Sequence, residues 1–132
     1  GGGRGGMGVA AGPLAQAGIG LRQLNLSDEQ RQQVRDIMAR HREAFAALAE
    51  RAAPTRRALA EAIATGDEAA IRQASATVAA VQADRAVLTG KVRSEVFAVL
   101  TPEQREKAKE ARARFERRAA ARRAVARRAV RR

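Results

Sequence analysis

Thr101-Pro102-Glu103-Gln104 is the segment that leaves this chain least choice. A threonine hydroxyl accepts from the backbone N–H three residues on, a proline at the first helical position gives up only a donor no helix would use, and a glutamine reaches back to the N–H of the cap residue. A helix must begin at Pro102. The pattern recurs near the front, where Ser27 is followed by Asp28, Glu29 and Gln30: a second capping box, with two acids set against the positive end of the helix dipole. Each box follows a leucine, Leu26 or Leu100, and the two lie about seventy positions apart.

Between them the apolar residues keep helical time. Leu26, Val34, Ile37, Met38, His41, Phe45 and Leu48 recur at steps of three and four, the period of a helix with one apolar face. Pro54 lacks a backbone donor and disfavours helix at Ala53, so a kink or break is expected there, with a short second helix near 55–64 carrying Leu59 and Ile63. Thr65-Gly66-Asp67 reads as a stop and a start, Gly66 suiting a left-handed C-cap and Asp67 the next N-cap. A third helix is expected over about 68–99, with Ile71, Ala74, Val78, Val81, Leu88, Val92, Val96 and Val99 along one side. The fourth, from Pro102, has only Ala108, Ala111 and Phe115 as an apolar stripe. The expected fold class is all-α, four helices in a kinked antiparallel arrangement. Three regions follow: a flexible glycine-rich leader over 1–23, a helical domain over 24–116, and an Arg-rich low-complexity tail over 117–132.

Composition makes that domain thin. Of 132 residues 45% are apolar but only 2% aromatic, with no Trp or Tyr, and alanine buries little area. A second copy of the chain would supply the missing surface, which is a physical reason to expect a homodimer. The net charge is +12, and residues 117–132, with eight arginines and no acid, hold two thirds of it. Such a balance suits anionic partners without choosing among them. There is no cysteine, hence no disulfide or thiolate metal site, and no apolar run approaches the roughly 18 residues of a membrane span. The chain begins at Gly1 rather than Met, as expected after removal of a secretory signal peptide, although a trimmed chain would look the same.

Catalysis is not expected. The sequence has no Gly-x-x-x-x-Gly-Lys phosphate loop, no His-Glu-x-x-His pair and no cysteine nucleophile. His41, the one histidine, is the only candidate metal ligand, and a site needs three or four. No cofactor is expected.

Leu24 to Met38, LNLSDEQRQQVRDIM, and Val99 to Lys107, VLTPEQREK, are similar to the two Leu-Thr-x-x-Gln copies that mark the Spy/CpxP family of periplasmic chaperones. Leu100, Thr101 and Gln104 match in full; Leu26, Ser27 and Gln30 replace Thr by Ser and keep the capping hydroxyl. The resemblance implies a thin, curved, cradle-like homodimer of four-helix protomers that holds unfolded or partly folded clients without ATP in the periplasm, often under envelope stress. It also implies an alternative, a periplasmic metal-responsive or stress-sensing protein, although the family's Met-rich and His-rich stretches are absent from a chain with two Met and one His. Apolar side chains that a thin dimer leaves uncovered, set among arginines, are the candidate client surface: Arg40, Arg42, Phe45, Leu48, Arg51, Arg56, Arg57, Leu59 and Ile63. Val87 and Phe97 belong to the same class. The Arg-rich tail has three readings: a disordered solubilising segment, a contact with anionic membrane, or a nucleic-acid contact. The last is the least expected, since no aromatic residue interleaves with the arginines for base stacking.

Overall fold

The computed structural model describes residues 20–131 and contains, among them, helix and no strand. A short 3-10 turn, Leu21–Leu24, leads into three α-helices: α1 (Asp28–Thr65), α2 (Glu68–Val99) and α3 (Pro102–Arg131). The expected leader over 1–23 falls largely outside the described residues. Asn25, with φ 52°, closes the 3-10 turn in the left-handed region, where asparagine is among the few tolerated side chains.

The helix boundaries obey the caps. Ser27 and Gln30 form the box that opens α1, and Gly66, at φ 74°, ends it by donating its N–H to Ala62 and Ile63 carbonyls. Asp67 Oδ1 then accepts from the N–H groups of Ala69 and Ala70 and starts α2. This two-residue turn folds α1 and α2 into an antiparallel hairpin, with Gln30 beside Val99, His41 beside Glu95 and Arg51 beside Asp84. At 1.5 Å per residue the hairpin is about 50 Å long and only two helices thick.

The expected break at Pro54 does not occur, and the expected four helices are three. α1 runs unbroken through Pro54 to Thr65. Proline removes one intrahelical bond and crowds the preceding turn, at about 3 kcal/mol, but two observations explain why the helix continues. Pro54 is exposed, so the orphaned carbonyl of the preceding turn can face water. The core-facing stripe stays in phase on both sides of it, with Leu48 and Ala62 both buried in the hairpin, so α2 splints the two halves into one rod. The fourth expected helix, from Pro102, is therefore α3, and it too is longer than expected. It continues as helix through the arginine tail to Arg131, where a disordered tail was one of three readings.

Burial is concentrated at one end. Leu24, Leu26, Val34, Ile37, Met38, Val92, Val96, Leu100 and Ala108 form one buried cluster, with Leu21, Phe45, Phe97 and Val99 packed against it. The cluster lies where α1 begins, α2 ends and α3 begins. Beyond it Leu48, Ala62 and Val81 are the remaining buried apolar residues among those described. Among the described residues α3 touches the rest of the molecule near its start and then leaves it, and Phe115, Val125 and Val130 are all exposed.

Candidate functional site

The best-organised polar centre is built from the two capping boxes. In the first, Gln30 N–H donates to Ser27 Oγ at 3.1 Å and Ser27 N–H donates to Gln30 Oε1 at 2.9 Å. In the second, Gln104 N–H donates to Thr101 Oγ1 at 3.2 Å and Thr101 N–H to Gln104 Oε1 at 2.9 Å. The buried Leu26 and Leu100 place the two corners against the same core. The two carboxamides thus meet, Gln30 Nε2 donating to Gln104 Oε1 at 2.7 Å and Gln104 Nε2 to Gln30 Oε1 at 3.1 Å. The second N–H of each goes to a carbonyl ahead of the other motif: Gln30 to Val99 O at 3.0 Å, and Gln104 to Leu24 O at 3.1 Å. Val99 ends α2 and Leu24 ends the 3-10 turn, so both carbonyls are chain-end acceptors with no partner of their own within the element.

A carboxamide offers two donors and two acceptor lone pairs, and both glutamines use all four. This accounts for the residue type. Glutamate has no donor when ionised, and two facing carboxylates would repel; asparagine is one methylene too short to close the box and reach across. Serine substitutes for threonine at no loss because only the hydroxyl is used. Arg105 adds to the corner by donating from Nε to Phe97 O at 2.8 Å, another carbonyl at the end of α2. The clasp ties the 3-10 turn, the start of α1, the end of α2 and the start of α3 in one hydrogen-bonded knot.

The motif residues Leu26, Ser27, Gln30, Leu100, Thr101 and Gln104 are thereby brought together. Reading each box as a separate helix start missed their union. The signal was present: once each box is made, a glutamine NH2 still has two donors to place, and there are two such groups in one thin chain.

A second polar cluster lies along the hairpin seam. His41 Nε2 is hydrogen-bonded to Glu95 Oε2, and Arg40 donates to Glu95 Oε1 at 3.1 Å. His41 is nearly buried and Glu95 partly so. Burial works against the Glu95 charge, but hydrogen bonds from His41 and Arg40, together with the charges on those side chains, outweigh it and hold the carboxyl below its ordinary value. His41 is engaged as a seam residue. Among the described residues no group of three or more His, Cys, Asp or Glu is arranged to hold a metal ion.

The client-surface candidates divide. Leu48 is only 8% exposed and belongs to the hairpin interior, while Phe45 is half-buried against the core. Arg40 and Arg51 bridge the helices, to Glu95 and Asp84, each at 3.1 Å. Arg42, Arg56 and Arg57 are exposed, Leu59 is half-buried, and Ile63 is 59% exposed. Arg56, Leu59 and Ile63 fall at steps of three and four on one side of α1, giving a short mixed strip. Val87, on α2, is 73% exposed, and Phe97 is half-covered with the Arg93 guanidinium 4.1 Å above its ring.

Fold and site together define an all-α protein whose organised polar centre is a structural clasp and carries no reacting group. The chain belongs to the LTXXQ motif family, described as LTXXQ motif family protein, whose model matches residues 20–112. That span covers both boxes, the whole hairpin and the first third of α3, and stops short of the arginine tail. The family is non-enzymatic, and its members are typically secreted to the periplasm. No curated protein and no solved structure matches the chain. No helix among the described residues is long and apolar enough to cross a membrane.

Proposed function

We propose that this chain is an ATP-independent periplasmic chaperone that binds unfolded or partly folded proteins, as a homodimer, on a mixed apolar and basic surface. Family membership supports this reading, and one structural observation carries it: a hairpin two helices thick leaves Ile63 and Val87 more than half exposed, with Arg42, Arg56 and Arg57 exposed on the same rod as Ile63. Exposed apolar side chains attract a non-native chain through its own unburied surface, and arginines keep the surface solvated and draw acidic segments. Each contact is weak and indifferent to sequence, which suits clients that share only the lack of a fold. Pairing two protomers would cover part of the open hairpin and gather the remaining patches into one larger face. The metal-responsive alternative rests on His41 alone as a candidate ligand, and its Nε2 is hydrogen-bonded to Glu95.

The test is aggregation of several chemically denatured clients followed by light scattering, with purified protein at near-equimolar dose and no nucleotide. Suppression is expected, weakened when Ile63 and Val87 are both changed to serine. Failure to suppress across the clients would overturn the reading.

A further inference from the structure

We propose that the second half of α3, together with the arginine-lined groove it leaves, is a binding track for a linear polyanion made of phosphate groups. This inference stands apart from the chaperone reading, because most of the track lies beyond residues 20–112 of the family match and only its beginning, a groove between α2 and α3, falls inside that span.

The arginines of the tail sit at 117, 118, 122, 123, 127, 128 and 131 of a continuous helix. A step of five residues turns a helix by about 140°, so successive arginine pairs do not stack on one side but circle the axis. From Arg117 to Arg131 the rod is about 21 Å long, which places one guanidinium on average every 3 Å of axis. Per length of axis this density of positive charge is close to that of one phosphate strand, roughly one charge per 3.4 Å of duplex axis. No acidic residue lies within this stretch to neutralise any of them.

The same geometry decides between partners. A helix that lies on a membrane needs a continuous apolar side, and the two large apolar residues here, Val125 and Val130, are five positions apart and point about 140° from one another. A folded acidic protein would meet one face and leave the opposite arginines unpaired. A flexible chain of phosphates can follow the arginines around the rod, each guanidinium fork matching two phosphate oxygens. The stretch has no Asn, Gln or aromatic side chain, so adenine readout and base stacking on aromatic rings have no partner in it, and its arginines are left as its only polar contacts to a nucleic acid.

The track has a fixed beginning. An open groove of about 450 Å³ between α2 and α3 is lined by Arg85, Arg93 and Arg112, with Gln82 and Thr89 as further polar groups and no acidic residue. Two of its arginines are held in place, Arg93 over the Phe97 ring and Arg112 by Glu116 at 3.1 Å. The small Gly90 keeps its floor open, with nothing within 4 Å of where a Cβ would stand. α3 carries the charge outward from there.

The experiment titrates the full chain with inorganic polyphosphate of medium chain length, by calorimetry, from about 50 to 200 mM salt. Affinity should fall steeply with salt. Replacing Arg118, Arg123 and Arg128 by glutamine should weaken binding at least tenfold at low salt and flatten the log–log salt slope by about 2. Replacing Arg31, Arg35 and Arg72, which lowers the net charge equally, should change affinity less than twofold. Single-stranded DNA distinguishes the sources of phosphate: equal binding assigns the site to any phosphate backbone, weaker binding to polyphosphate itself, and either outcome supports the track. Equal losses in the two triple variants, or tighter binding to anionic phospholipid vesicles or polyglutamate than to polyphosphate, would overturn it.

Discussion

Gln30 and Gln104 each do two jobs, closing a helix cap and pairing with the other across the corner. Losing either removes a box and strands the donors and acceptors of its partner. Gln104→Ala should therefore cost about 2 to 3 kcal/mol, more than the roughly 1 kcal/mol of an isolated cap. In urea unfolding, the double variant with Gln30→Ala should fall short of the summed single losses by about 1 kcal/mol, since the shared pair can be lost only once. Strict additivity would mean that the two caps act independently. Glu95 gives a pH signature at the same scale. Its carboxyl is held below the ordinary 4.5, so the stability it adds is fully present above that value and is lost as pH falls through the lower folded value. Stability plotted against pH should accordingly fall less steeply on the acid side in Glu95→Gln than in the parent chain; coincident acid limbs would contradict the assignment.

At the level of elements, the caps were legible in the sequence and the response to Pro54 was not. The caps at Ser27, Gly66, Asp67 and Thr101 are closed by bonds to residues at most four positions away, and Pro102 needs none, so local chemistry fixes where their helices start and stop. Whether a proline ends a helix depends on what lies alongside it, and here the splint is α2, whose pairing with α1 involves residues such as Asp84 and Glu95 far along the chain. Pro54→Ala should restore the missing intrahelical bond without moving a contact, stabilising the protein by about 2 kcal/mol after the loss of proline's restraint on the unfolded chain. A loss of stability in thermal or urea unfolding would show that the hairpin needs the proline. In the tail two local tendencies oppose one another. Its arginines repel at i,i+4 spacings such as 118–122 and 123–127, by about 0.2 to 0.5 kcal/mol per pair, while alanine and arginine are both strong helix formers. The helical tendency wins in the structure, which continues α3 to Arg131.

For the molecule as a whole, stability is unevenly placed. One core and one hydrogen-bonded clasp hold the end where the 3-10 turn and all three helices meet, the hairpin beyond is two helices thick, and the large apolar side chains of the outer half of α3 are exposed among the described residues. A scarcity of bulky side chains predicted the thinness, and two capping motifs predicted the corners. Their lateral union was signalled only by the two donors each glutamine has left once its box is made, and what takes those donors depends on side chains 74 positions apart. The most direct test of this organisation is amide hydrogen exchange on the native full-length chain. Protection should be greatest around Val34 to Met38 and Val92 to Val96, fall toward the Gly66 turn, and be least beyond Phe115. Exchange that is uniform along the hairpin, or slowest at the turn, would contradict the claim that the twin-glutamine corner is what holds the fold together.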